Sequence, residues 1–372
     1  MSSTQQLTGD ALTRKLWATN DWINMGQRKA FGHLVERGAI FYTNDFEGMN
    51  KKGDQITYDY IGKLTGFPVG EGGTLDGNEE ALDMGSYTMA INVTRIGVLN
   101  PNDDTIEQQR TLVSFPAKTR KLIPSRHMEL MDASVFNHLG GFNPTSYTQN
   151  GTTWTGANKL FVQGHNTPTA PSTDRIIRAG GVATDQALTS SNTFTLDLVD
   201  YALEKNDNSD QPIARFDDDT FDLYLAPTQL TDLKHDSSGA ITWFNINLAQ
   251  LEGGKDSKIE SQMYKGMTCA GRYGDVNIYS APRVAYGQRS DTDAVITTVR
   301  RAVMVGKDAL TYASPFGAPT EKSSLKYFSQ LKDYEYFEGL EGRCIYGLKK
   351  TAASNSEDIG VLVISTYAAP HA

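Results

Sequence analysis

The sequence predicts an α+β fold, and three observations carry that reading. Stretches in which apolar and polar residues alternate recur along the chain, as in QITYDYIG (55–62) and SYTMAINVTRIGVL (86–99), the pattern of half-buried strands. Helical stripes occur too: in TFTLDLVDYALEKND (193–207), Leu196, Val199 and Leu203 fall on one face. The two kinds of element come in mixed order, with no βαβ alternation and no internal repeat of fixed period, which sets aside parallel α/β folds and solenoids.

The chain has 372 residues, 39% of them hydrophobic and 21% charged, enough for two or three domains around a real core. No apolar run reaches the ~18 residues of a membrane span. The stretch MSSTQQLTGDALTRKLW lacks the apolar centre of a secretory signal, which argues against that route. Cys269 and Cys344 are the only cysteines; two isolated thiols fit a reducing compartment and exclude a disulfide scaffold or a cysteine-built zinc site. A net charge of −9 argues against a protein built to grip nucleic acid, which needs clustered Lys and Arg to displace counterions. It is compatible with a wall that DNA merely presses against.

Residues 1–50 read as an arm incompletely packed on its own subunit, with a short helix in ALTRKLWATNDWINMG (11–26). Residues 51–104 read as one long hairpin with a glycine-rich tip, GKLTGFPVGEGGTLDGNEEALDMG (62–85). A two-stranded ribbon is marginal in water alone, and no adjacent sequence offers a third strand. Its apolar edge, made of Ile56, Tyr58, Tyr60, Tyr87, Met89, Ile91 and Val93, must lie on something else, and a neighbouring subunit is the natural candidate.

In residues 105–192, Asp104 and Glu107 form a capping-box-like helix start, and Pro116 and Pro124 predict a helix that is kinked or broken. PSRHMELMDASVFNHLGG (124–141) resumes with Ser125 as cap; Met128, Met131, Val135, Phe136 and Leu139 form its stripe, and Gly140-Gly141 ends it. His127 and His138 flank the stripe as surface or boundary residues. Residues 142–192, rich in Thr, Asn, Gly and Ser, read as a loop-rich insertion on one surface.

Residues 193–315 hold the amphipathic helix, a buried strand in TFDLYLAP (220–227), a short helix capped by Thr228, a strand-turn-strand in MTCAGRYGDVNIYSAPRV (267–284), and a buried strand from Ala302 to Val305 turning at Gly306. Residues 316–372 read as a helix or strand followed by paired strands.

Chemical motifs are weak throughout. Gly306-Lys307 invites a phosphate-loop reading, but the required earlier glycine is Arg301 and the required hydroxyl residue is Asp308, whose carboxylate would repel a phosphate. Asp217, Asp218, Asp219 and Asp222 sit close together, yet calcium loops need alternating ligands and a mid-loop glycine; a solvated turn is the simpler reading. The six histidines show no metal-ligand spacing. His165, in a polar loop, lacks a Ser or Cys motif to serve as base, and no GxSxG elbow occurs. GEGGTLDG (70–77) lies at a hairpin tip, not between a strand and a helix, so it is no dinucleotide fingerprint. No catalytic residue, cofactor site or metal site emerges.

One ordered series of segments is informative: TFTLDLVDYALEKND, FDLYLAPTQLTDLKHD, YKGMTCAGRYGDVNIYSAPRV and RRAVMVGKDALTYASPFG. It resembles the major capsid proteins of tailed bacteriophages, which have the Hong-Kong-type capsid fold. YEYFEGLEGRCIYGLKKTA and DIGVLVISTYAAP, with SRHMELMDASVFNHLGG, resemble the subgroup found in large-polymerase podoviruses. The resemblance covers about residues 105 to 368, while the first hundred residues match only in layout.

It implies an N-terminal arm (1–50), an extended hairpin loop (51–104), a peripheral domain with a spine helix and the insertion (105–192), an axial domain (193–315), and C-terminal strands returning to the peripheral domain (316–372). It further implies a non-enzymatic subunit that self-assembles into hexamers and pentamers of an icosahedral shell around double-stranded DNA. The implied partners are further copies, portal, scaffolding and cement proteins, and DNA contacted non-specifically. No membrane is involved, and the implied location is the virion, assembled in the host cytoplasm. Lys51, Lys52 and Lys63 lie near the hairpin, but none matches a crosslinking position. Two other readings stand beside this one: another virion or glycan-binding protein, and a hydrolase using a metal at Asp217–Asp222.

Overall fold

The computed structural model describes residues 30–43, 54–61, 64, 66–82, 84–102, 105–106, 115–149, 151–236, 243, 269–315, 325–352 and 358–371. Two sheets dominate them. The five-stranded sheet runs β1 (Ile40–Thr43), β13 (Leu310–Ala313), β15 (Phe337–Lys350) and β14 (Lys326–Lys332), with β4 (Asn92–Pro101) also on β15. The seven-stranded sheet runs β7 (Ile176–Arg178), β16 (Val361–Tyr367), β12 (Val295–Val305), β8 (Phe221–Leu225), β10 (Val276–Ser280) and β9 (Cys269–Tyr273), with β11 (Tyr286–Gln288) also on β12. Most neighbours are antiparallel; β1 with β13, β8 with β10, and β7 with β16 are parallel.

The central strands of the seven-stranded sheet, β8, β10, β16 and the end of β12, are buried on both faces, and alternation divides their side chains between two cores. From β8, β12 and β16, Leu223, Met304 and Leu362 face one core, which α3 (Leu196–Asp207) and α4 (Pro227–His235) cover with Leu198, Val199 and Leu233. Tyr224, Val303 and Val363 face the other, which they share with α1 (Ala30–Glu36), α2 (Phe115–Leu139) and the five-stranded sheet. That second core joins the two halves of the molecule.

The α+β reading and the central elements follow the sequence. Leu196 and Val199 are buried on α3, with Leu203 partly buried against the same core. The strand in TFDLYLAP is buried at every position, and MTCAGRYGDVNIYSAPRV forms the antiparallel pair β9–β10. Ala302 to Val305 lie in β12, which ends at Gly306. Lys307 is half exposed, with Nζ 3.4 Å from Asp217 Oδ1; that surface ion pair leaves nothing of a phosphate loop. Residues 326–350 settle as two strands, β14 and β15.

Several expectations need correcting. Residues 30–43 are not arm: Phe31 and Leu34 are buried in the main core, and β1 adds to the sheet edge beside β13. The other residues assigned to the arm, including 11–26, lie outside those described, as do Asp104 and Glu107. The proline-interrupted region is one 25-residue helix, α2, with Pro124 inside it. Pro116 falls in the first turn, where its missing N–H has no intrahelical acceptor anyway. Pro124 costs about 3 kcal/mol, but buried groups hold both sides of it. Thr119 Oγ1 donates to Asn100 Oδ1 at 3.0 Å, Ile123 is buried, and Met128, Met131, Val135, Phe136 and Leu139 all enter the core. Each of those five side chains gains about 1.5–3 kcal/mol on burial, so packing outweighs the proline.

His127 and His138 are buried, not superficial. Their Nε2 atoms lie 3.1 Å from Gly342 O and 2.8 Å from Gln163 O. Helix α4 starts at Pro227 with Ala226 as its cap, two positions before Thr228, and the Gln229 side chain accepts from Ala226 N at 3.0 Å. Residues 142–192 are loop-rich, with a small hairpin of β5 (Ser146–Gln149) and β6 (Thr152–Thr155), yet they also supply β7. The C-terminal segment divides: β14 and β15 pair with each other and β4, while β16 enters the other sheet beside β12.

Candidate assembly surface

The alternation marks a hairpin, but its second stretch, 86–99, divides: only the part up to Ala90 pairs with 55–61, and 92–101 joins the main sheet as β4. Strand β2 (Gln55–Ile61) pairs antiparallel with β3 (Met84–Ala90), in register from Gln55↔Ala90 to Ile61↔Met84, as a two-stranded sheet with no third strand among the described residues. The base of the ribbon is the Gln55–Ala90 end, where β3 runs on through Ile91 into β4 on the main sheet.

The base of this ribbon is fixed to its own subunit. Asn166 acts there like a short piece of strand: its Oδ1 accepts from Ala90 N at 2.8 Å, while Nδ2 donates to Ala90 O at 2.9 Å and to Leu348 O at 3.1 Å. Lys349 Nζ donates to Thr88 O at 2.7 Å and sits 5.6 Å from the Tyr87 ring centroid. The Tyr87 hydroxyl bonds Thr311 Oγ1. Tyr58 stacks on Tyr87 with centroids 5.2 Å apart and meets Phe41 edge-on.

Of the apolar edge chosen from the sequence, Met89 is fully buried, and Ile56, Tyr58, Tyr87, Ile91 and Val93 are half-buried within this chain. Val93 belongs to β4, opposite Ile345. The side chain of Tyr60 lies outside those described. The residues with open apolar surface lie further out: Ile61, Leu64, Phe67, Leu75, Leu82 and Met84, with Phe67 at 95% exposure. Every described residue from 64 to 84 is exposed. The tip keeps a shape of its own, since Glu80 Oε2 accepts from Gly66 N at 2.5 Å and Glu79 Oε2 from Gly77 N at 2.7 Å. Alternation identified the strands but not the exposed set, because the tip has no periodicity to read.

The clusters considered for chemistry resolve into structure. Asp217 faces Lys307, Asp218 pairs with Arg37 at 2.9 Å, and Asp219 is exposed; Asp222 is buried against Arg37 Nε at 3.0 Å. Asp218 and Asp222 converge on the Arg37 guanidinium while Asp217 and Asp219 point to other partners, and no group of three or more His, Cys, Asp or Glu among the described residues is placed to hold a metal. His165 is buried, bonded to Thr94 Oγ1 at 2.8 Å and packed edge-on to Tyr346, and burial lowers its pKa to about 4. Cys344 is buried, which pushes its thiol up to about 12. These are groups shaped by packing, not poised for turnover.

The comparisons agree. No curated protein matches the chain in sequence. Solved structures match its fold across nearly its whole length. The capsid of Ralstonia phage GP4 superposes with a TM-score of 0.70 at 20% identity, covering 93% of each chain. The capsid asymmetric unit of cyanophage Pam1 gives 0.62 at 18%, covering 89% of each. The head structure of Helicobacter pylori bacteriophage KHP40 gives 0.54 at 12%, covering 84% of this chain and 85% of that one. The family model described as phage capsid protein matches residues 34–370. With the phage capsid family model matched over most of its length and the capsid fold in place, the chain belongs to the phage capsid protein family and is a major capsid protein, a structural subunit of the shell and not an enzyme.

Proposed function

We propose that copies of this subunit join as hexamers and pentamers of an icosahedral shell around double-stranded DNA, with the β2–β3 hairpin as the clasp between neighbours. The observation that supports this reading is the ribbon itself: anchored at its base, unpaired on both edges among the described residues, and apolar at its outer end. Hiding the open surface of Ile61, Leu64, Phe67, Leu75, Leu82 and Met84 would gain on the order of 10 kcal/mol before the cost of ordering and docking. Each subunit brings one such ribbon, so the gain recurs once per subunit throughout the shell. The acidic balance of the chain, −9, suits an inner wall that holds DNA without adhering to it. Portal, scaffolding and cement proteins are the further partners this role calls for, and assembly in the host cytoplasm precedes residence in the virion.

Electron microscopy and light scattering of the expressed chain test the reading. Deleting residues 62–86 should leave a soluble subunit that forms no shells, with or without a scaffolding protein. Normal shells from that deletion would remove the hairpin from the role of clasp, and a full-length chain that stays monomeric under every assembly condition would count against self-assembly.

A further inference from the structure

Three buried cations among the described residues face a carboxylate: Arg37 faces Asp222, Arg301 faces Asp185, and Lys350 faces Asp358. Arg300, half-buried on β12, does not. Its Nη1 donates to Val284 O at 2.8 Å, its Cζ lies 3.5 Å from the centroid of the Tyr286 ring, and no acidic group among the described residues pairs with it. A guanidinium has five donors in a planar fork; the Val284 carbonyl and the Tyr286 side chain, which stacks on the fork and also hydrogen-bonds it, leave part of that fork uncommitted.

Arg300 forms one wall of a cleft of about 340 Å³. The other walls come from the C-terminal half of α2, from Phe142, from β5 and from the segment 282–286. Arg283, also on the lining, is already paired: its Nη1 donates to Glu129 O at 2.7 Å and its Nη2 lies 3.5 Å from Glu129 Oε1, so Arg300 is the lining cation that faces no carboxylate. No lining residue is acidic, although the chain as a whole carries a net charge of −9. Half-buried Tyr147, held edge-on by the buried Phe142 ring at 5.6 Å, gives the cleft an aromatic side. The volume falls near the lower end of ligand pockets, roughly 300–1,000 Å³, which suits one or two side chains and not a nucleic-acid strand.

We propose that this cleft is a docking site for a carboxylate-bearing peptide segment of a partner polypeptide. An Asp or Glu carboxylate sits against Arg300, and an adjoining apolar side chain lies on Tyr147. The planar fork matches a carboxylate, and the pairing is charge-assisted. The aromatic side gives a peptide an advantage over a bare anion. The site is independent of shell assembly through the hairpin and is testable on unassembled subunits.

The probes are a labelled hexapeptide with one Glu between apolar residues, the same peptide with Gln, and inorganic phosphate, each added to the full chain and read by fluorescence anisotropy at low and moderate salt. The Glu peptide should bind about tenfold more tightly than the Gln peptide, the worth of one charge-assisted hydrogen bond, and should weaken with salt. Arg300→Gln should abolish that preference. Thr148→Glu, at an exposed position on the lining, should weaken binding severalfold without touching the core, and it carries the test if the Arg300 variant does not fold. Equal binding of the Glu and Gln peptides, no binding at millimolar concentration, or unchanged binding by Thr148→Glu would overturn the proposal. Tighter binding of phosphate than of the Glu peptide would overturn its peptide character.

Discussion

Acidification should destabilise this subunit in a window set by its buried histidines, and His127→Gln measures one of them. Burial, with a smaller opposing effect of the bond to Gly342, lowers the His127 pKa from 6.5 to about 4. Burial likewise takes His138 and His165 to about 4, and His33 to about 3 with the help of Arg37. These rings stay neutral in the folded chain, while the unfolded chain protonates them below 6.5. The unfolded state then binds more protons, so stability falls as pH falls. The contribution is intact above 6.5 and is lost progressively down to about 4.

At pH 5 each histidine stands roughly 1.5 units below its unfolded value, worth about 2 kcal/mol at ~1.36 kcal/mol per unit. Four together approach about 8 kcal/mol, against a typical domain stability of ~5–15 kcal/mol. Burial raises the carboxyls of Asp222, Asp232 and Asp358, which take up protons in the folded state and oppose the trend. The difference between wild type and variant therefore isolates the histidine. Gln keeps a neutral donor for Gly342 O. Urea unfolding of unassembled subunits at pH 7.5 and pH 5 should show the variant losing about 2 kcal/mol less than wild type across that interval. Equal losses would refute the argument that His127 is held neutral by burial.

Two further substitutions test how the halves are joined. Asp185 accepts from Arg178 Nε at 2.9 Å and from Arg301 at 2.8 Å, and Arg301 Nη1 in turn donates to Gly140 O and Gly141 O at the end of α2. Asp185→Asn should cost about 3–5 kcal/mol in urea unfolding by stranding two arginines, and a loss under 1 kcal/mol would mean the triad is not a lock. Gly141 has φ +59, and a Cβ there would meet Pro171 Cδ at 2.5 Å and Thr169 O at 2.7 Å. Gly141→Ala should cost at least about 2 kcal/mol, from a left-handed backbone at ~1–2 and overpacking at ~1–3, seen as a clear fall in Tm.

Much of this subunit was legible because its local patterns agree with its tertiary environment. The alternation in 55–61 and 84–90 became a hairpin, the stripe from Met128 to Leu139 became the buried face of α2, and Gly140-Gly141 ended that helix where the chain had to turn. His127 and His138 carried a usable signal that went unread: they stand eleven residues apart, three helical turns, with Met131 and Ser134 between them on the same face. The proline at 124 misled for the opposite reason, since local propensity weighs about 3 kcal/mol and the packing on either side of it weighs more.

By itself the sequence determined the α+β class, the identity of most strands and helices, the absence of a convincing catalytic motif and the resemblance to tailed-phage capsid proteins. These depend on periodicity, capping and residue order, which are properties of neighbours along the chain. Only the tertiary structure decided which end of the hairpin is covered, that Asn166 and Lys349 fasten its base, that residues 30–43 belong to the core, and that Arg300 faces a cleft without a carboxylate. Those facts depend on pairs such as Ala90 with Asn166 or Tyr87 with Thr311, residues tens to hundreds of positions apart, and no local pattern encodes which distant surface a side chain will meet.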